Sequence, residues 1–115
     1  LTIALITCSG ISNTGRLTTE AARTLMQRMP GRFVWMQIQQ SSASLEDEVR
    51  DADEVVIIDG CTDCCAKKKI FSCIAPYRHI ITTELGITKN GMADVQFHEI
   101  EKVIDAIMDD GGRPV

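Results

Sequence analysis

The chain has 115 residues, a formal net charge of −4, one Trp and one Tyr. That length fits one folded unit spanning residues 1–115, because single cores typically run ~100–200 residues. An acidic balance with 4% aromatic residues excludes a basic stripe and a base-stacking platform, so no nucleic-acid partner is expected.

In chain order, residues 3–8 are apolar on both faces, the pattern of a strand buried between helices in a parallel sheet. The opening Leu1–Ile6 has no basic segment before it and runs into Thr7-Cys8-Ser9-Gly10. It therefore reads as a strand and not a signal peptide, and a cytoplasmic location is the expectation. After a Gly/Ser/Asn loop, with Asn13 or Thr14 as the expected N-cap, Leu17, Ala21, Leu25 and Met29 recur at helical spacing up to Pro30-Gly31. Phe33 to Ile38 predicts a second strand, and Ser44 ahead of Leu45-Glu46-Asp47-Glu48 predicts the N-cap of a short second helix.

Glu54 to Asp59 predicts a third strand. Its Val55-Val56-Ile57-Ile58 core is the longest apolar run, far short of the ~18–20 residues that span a bilayer, so no membrane partner is expected. Cys64 to Ile74 reads as a third helix, with Ile70 and Cys73 or Ile74 inward, and Arg78 to Glu84 as a fourth strand. Ile100, Val103, Ile104, Ile107 and Met108 mark an amphipathic last helix, ended by Gly111-Gly112-Arg113-Pro114.

Strands alternating with helices imply an α/β fold with right-handed crossovers: a doubly wound, flavodoxin- or Rossmann-like three-layer sandwich on a four-stranded parallel sheet of order 2-1-3-4. In that order the first and third strands are neighbours, and both deliver a cysteine at the carboxyl end, Cys8 and Cys61. Adjacent strands lie ~4.8 Å apart and two thiolates on one zinc roughly 3.8 Å apart, so the fold itself would preform half a metal site.

Five cysteines, an odd number with Cys61, Cys64 and Cys65 within five positions, do not form a secreted disulfide framework. In a reducing compartment such clustering points to metal or thiol chemistry. A helix N-terminus at Cys64 or Cys65 is expected to lower a thiol pKa and favour the thiolate that zinc needs. Cys73, eight positions beyond Cys65 and ~12 Å along the helix, reads as core.

The loop Ser9-Gly10-Ile11-Ser12-Asn13-Thr14-Gly15-Arg16 offers glycines, hydroxyls and amides at a helix start. Ser9, Gly10, Ser12 and Asn13 are thus candidates to hold a small anionic ligand or to support the metal. Cysteine-dependent phosphatases and arsenate reductases have a similar strand-end cysteine, but here seven residues separate Cys8 from Arg16 and no Asp-Pro acid is present. A phosphocysteine carrier at Cys8 leaves Cys61, Cys64 and Cys65 unexplained. A thiol-disulfide redox protein using Cys61 with Cys64 or Cys65 is the other alternative. Lys67-Lys68-Lys69 run against the macrodipole preference, so Lys67 and Lys68 are candidates to face the charge of a thiolate-metal site. Asp59 is placed to orient the cysteine loop, and Gly60 to permit close backbone approach. His79 and His98 share no ligand spacing with the cysteines and read as structural.

The Cys8–Leu17 segment (Cys-Ser-Gly-x-Ser-Asn-x-Gly-x-Leu), Ile58-Asp59-Gly60-Cys61, Cys65-Ala66-Lys67-Lys68 and Leu85-Gly86-Ile87 together resemble the DGC domain family of zinc-binding proteins. The resemblance implies Zn²⁺ held by four cysteines, matched here by Cys8, Cys61 and Cys65. The chain departs from the family pattern with Thr62 where proline is common and with a doubled Cys64-Cys65. Cys64 is the nearest fourth ligand; Cys73, a water or a substrate sulfur are the alternatives. Four thiolates point to a structural, sensing or metal-handling role, and three with an open position to metal-thiolate chemistry. No catalytic residue follows from the sequence.

Overall fold

Strands that are apolar on both faces can be satisfied only between two layers of helices. In the computed structural model, which describes residues 2–70 and 77–110, β1 (Ile3–Thr7) is buried at every position. It lies inside a four-stranded sheet of order β2-β1-β3-β4, with β2 Phe33–Gln37, β3 Glu54–Asp59 and β4 Arg78–Ile81. All three pairings are parallel, with Leu5 opposite both Trp35 and Val56, and Ile57 opposite His79. The α/β class and the 2-1-3-4 order are as the sequence predicts.

α1 (Asn13–Arg28) and α4 (Phe97–Asp110) cover one face. Leu17, Ala21, Leu25, Val103, Ile104 and Ile107 meet Leu5, Val56 and Ile58 there. α2 (Ser42–Asp51) and α3 (Cys65–Ile70) cover the other, where Leu45, Val49 and Ala66 meet Ala4, Ile6 and Ile57. Of the predicted stripe on the last helix, Val103, Ile104 and Ile107 are buried, whereas Met108 turns outward. Among the described residues no helix is long and apolar enough to cross a membrane.

Three local expectations are corrected. The N-cap of α1 is Ser12, whose hydroxyl accepts from Gly15 N at 3.3 Å, and not Asn13 or Thr14. Asn13 is instead a clamp: its amide donates to Thr88 O at 2.9 Å and accepts from Asn90 N at 2.7 Å. The N-cap of α2 is Ser41, which accepts from Ser44 N at 3.2 Å, because the chain turns three residues earlier than Ser44. β4 stops at Ile81 and tightens into a 3-10 turn, Thr82–Leu85, so Glu84 is outside the strand. Cys73, Ile74 and the Gly111–Pro114 tail lie outside the described residues, and so does the inward placement expected of the Ile70 side chain.

Candidate metal centre

Side chains alternate across a strand, so Asp59 at the end of β3 shares the α2/α3 face with Ile57 and, one strand over, with His79 of β4. Asp59 is 1% exposed. Its Oδ1 accepts the Ala66 amide at 2.8 Å and its Oδ2 the Lys67 amide at 3.2 Å, so this carboxylate satisfies the first free N–H groups of α3. Oδ2 also lies 2.7 Å from His79 Nε2.

Between them the chain makes a tight turn. Cys64 N donates to Cys61 O at 3.1 Å, and Cys64 takes the left-handed conformation at φ 52° before its own carbonyl receives Lys68 N at 3.0 Å. A non-glycine residue held there stores about 1–2 kcal/mol of backbone strain, the kind of cost that collects at functional sites. The result is a group of three metal-ligand types, Asp59 carboxylate, Cys64 Sγ and His79 imidazole, whose ligand atoms all lie within 4.8 Å of one another.

The other sequence candidates take different places around the same sheet edge. Cys8 Sγ accepts the Gly60 amide at 3.2 Å and lies 3.9 Å from Thr18 Oγ1. Cys61 Sγ sits 3.6 Å from both Asp63 Oδ2 and Lys89 Nζ. Cys65 is exposed. Among the described residues no three thiols come within the spacing of the Asp59–Cys64–His79 group.

In the loop after β1, Ser9 Oγ bonds Thr7 Oγ1 at 2.6 Å and accepts from Thr19 at 2.8 Å. The amides of Ser9, Asn13 and Gly15 are spent on Thr18 Oγ1, Gly91 O and Ser12 Oγ. Gly15 and Gly60 are the close-packed glycines: a Cβ on Gly60 would fall 2.8 Å from Gly15 N, and one on Gly15 would fall 2.7 Å from Gly10 Cα, whereas one on Gly10 would meet nothing closer than 3.8 Å. Lys67 and Lys68 are exposed, and Lys69 Nζ caps the end of β2 through Ile38 O and Gln40 O.

The expectation of a lowered thiol pKa fails at Cys64. Burial pushes its thiol up, with the Asp59 carboxylate and Cys61 adding to the rise, and Lys67 and Lys68 pulling it back only in part. A raised folded pKa is stabilising below the unfolded value and loses that contribution as pH climbs through the folded one. The metal-free protein is therefore expected to lose stability from the ordinary thiol range, about 8.5, upward, and Cys64→Ser to flatten that limb. Urea melts at several pH values check this; an unchanged alkaline limb in Cys64→Ser would refute it.

The model of one protein family, the DGC domain, matches residues 4–107. The chain belongs to the DGC domain family. Curated proteins and solved structures give no match to it. In this DGC domain the name-giving Asp-Gly-Cys runs from the buried carboxylate at Asp59, through the close-packed Gly60, to Cys61 at the sheet edge. The donor set fits zinc, which takes oxygen, nitrogen and thiolate ligands at ~2.0–2.3 Å. The 2.7 Å Asp59–His79 contact is closer than two ligands of one ion would sit. An ion held by both residues would exchange that hydrogen bond for ligation; otherwise one of the pair would orient the other.

The sequence reading, which takes His79 as structural, does not place it beside Asp59. Twenty positions separate it from Asp59, and only the parallel register of β3 with β4 brings the two together.

Proposed function

We propose that this domain binds one zinc ion at the carboxyl edge of β3 and β4 through Asp59, Cys64 and His79. The observation that carries the reading is the convergence of three chemically different ligand atoms within 4.8 Å, one of them on Cys64, whose backbone is held in a strained conformation. Zinc is borderline-soft and accepts such a mixed set, whereas calcium and magnesium prefer oxygen alone. When bound with three protein ligands, zinc offers a fourth position at which a water is acidified. The chain's own part is to hold the site: Asp59 ties it to α3, and β4 sets the imidazole.

A second ligand set, Cys8, Cys61 and Cys65 with Cys64, rests on the family resemblance, and the Gly60 amide on Cys8 Sγ supports it by holding that thiol beside the motif loop. Both sets contain Cys64. Elemental analysis of protein purified without added metal is expected to give about one zinc per chain. His79→Ala is expected to weaken binding by at least about 100-fold, with Cys8→Ser and Cys65→Ser leaving it intact. The reverse pattern would assign the metal to the four cysteines. Metal-free protein that stays folded and pairs Cys61 with Cys64 or Cys65 under mild oxidation would replace zinc binding with thiol redox chemistry.

A further inference from the structure

On the opposite side of the sheet from Asp59, Cys64 and His79, where α1 and α4 pack, a cleft of about 590 Å³ opens beside the β1–α1 loop. This volume is in the ~300–1,000 Å³ range of small-molecule sites. Its wall carries Ile11, Met92, Val95 and Ile100, and Ile11 and Met92 are 82% and 72% exposed.

Arg16, from the first turn of α1, supplies the one cation among the described lining residues. The guanidinium donates to the Ala93 carbonyl, yet its Nε is buried with no acceptor. Among the described residues no carboxylate lies within ion-pairing distance of it. Glu20 in the same wall is met by Arg23 at 3.0 Å. The cleft thus sets one uncompensated positive charge against apolar side chains.

We propose that this cleft binds a small monocarboxylate, its apolar body on Ile11, Met92, Val95 and Ile100 and its carboxylate on Arg16. A planar guanidinium matches a planar carboxylate, and the ligand brings a negative charge to a cation that, among the described residues, has no carboxylate partner. One unpaired cation with Glu20 close by balances a single negative charge, which favours a carboxylate over a doubly charged phosphate monoester.

The test is a titration of the 115-residue chain with sodium hexanoate, read by NMR at the Met92 methyl and the Ile11 amide. Saturable shifts at both are expected, with uncharged hexanamide at least about tenfold weaker. Arg16→Gln is expected to erase that preference. Ile11→Asp, at an exposed position that leaves the fold intact, is expected to weaken hexanoate about as much. No saturable shift, equal binding of hexanamide, tighter binding of hexyl phosphate, or shifts confined to His79 and Cys64 would each overturn the proposal. If Arg16→Gln fails to fold, the hexanamide comparison and Ile11→Asp decide it.

Discussion

Asp59→Ala lowers the stability of the metal-free protein by about 3–5 kcal/mol, the largest loss expected from any single polar side chain here. The carboxylate is 1% exposed and has three partners: the Ala66 and Lys67 amides and His79 Nε2. Truncation strands two helix-terminal donors and an imidazole around a hole that water does not easily fill. Against a typical domain stability of ~5–15 kcal/mol, the variant sits near the edge of folding. Asp59→Asn separates charge from shape, because its amide oxygen still accepts from Ala66 N, and a cost of about 1–2 kcal/mol is expected. On the proposed zinc site both variants should bind the ion more weakly, but only Asp59→Ala should lose most of its structure when EDTA is present. Urea unfolding in EDTA reads this directly; an Asp59→Ala midpoint equal to that of the parent would show that α3 does not depend on the carboxylate.

The sheet was legible because its strands announce themselves. Ile3–Thr7 and Val55–Ile58 are apolar on both faces, and burial on both faces is available only in the centre of a parallel sheet covered twice. The amphipathic last helix was legible for a similar reason, since a period of 3.6 survives in sequence whatever the partner. The candidate site was legible only in part. The cysteine cluster stands in the sequence, but the meeting of His79 with Asp59 and Cys64 depends on strand register, which no local pattern records.

The caps fail for a different reason. Ser41, Ser42 and Ser44 compete for one role, and the outcome is set by where the chain leaves β2. At Cys64 a general rule about helix starts loses to burial and to Asp59, because the carboxylate that satisfies the amides of α3 also brings its negative charge close to the thiol.

Gly60→Ala is expected to cost at least about 2–3 kcal/mol and to disturb Cys8 as well. The added Cβ would lie 2.8 Å from both Gly15 N and the Thr14 carbonyl carbon, and these are backbone atoms of a helical turn that cannot rotate aside. Nor can Gly60 itself retreat freely. Its carbonyl accepts from Thr82 Oγ1 at 2.6 Å and its amide donates to Cys8 Sγ at 3.2 Å. Relief of the clash therefore breaks a buried hydrogen bond just past the end of β3 or moves the Cys8 loop, which joins β1 to α1. Gly10→Ala is the control: its Cβ would meet nothing closer than Gly15 Cα at 3.8 Å, an ordinary contact, and a change within about 0.5 kcal/mol is expected. Thermal melts of the two variants, with Cys8 alkylation rates in each, test the pair. Gly60→Ala as stable as Gly10→Ala would remove the packing argument, and the glycine of the Asp-Gly-Cys motif would need a reason in the bound metal. A large loss in Gly60→Ala alone, with faster alkylation of Cys8, would mean that the motif's first two residues serve the scaffold: Asp59 fastens α3 and His79, and Gly60 seats the motif loop flush against α1.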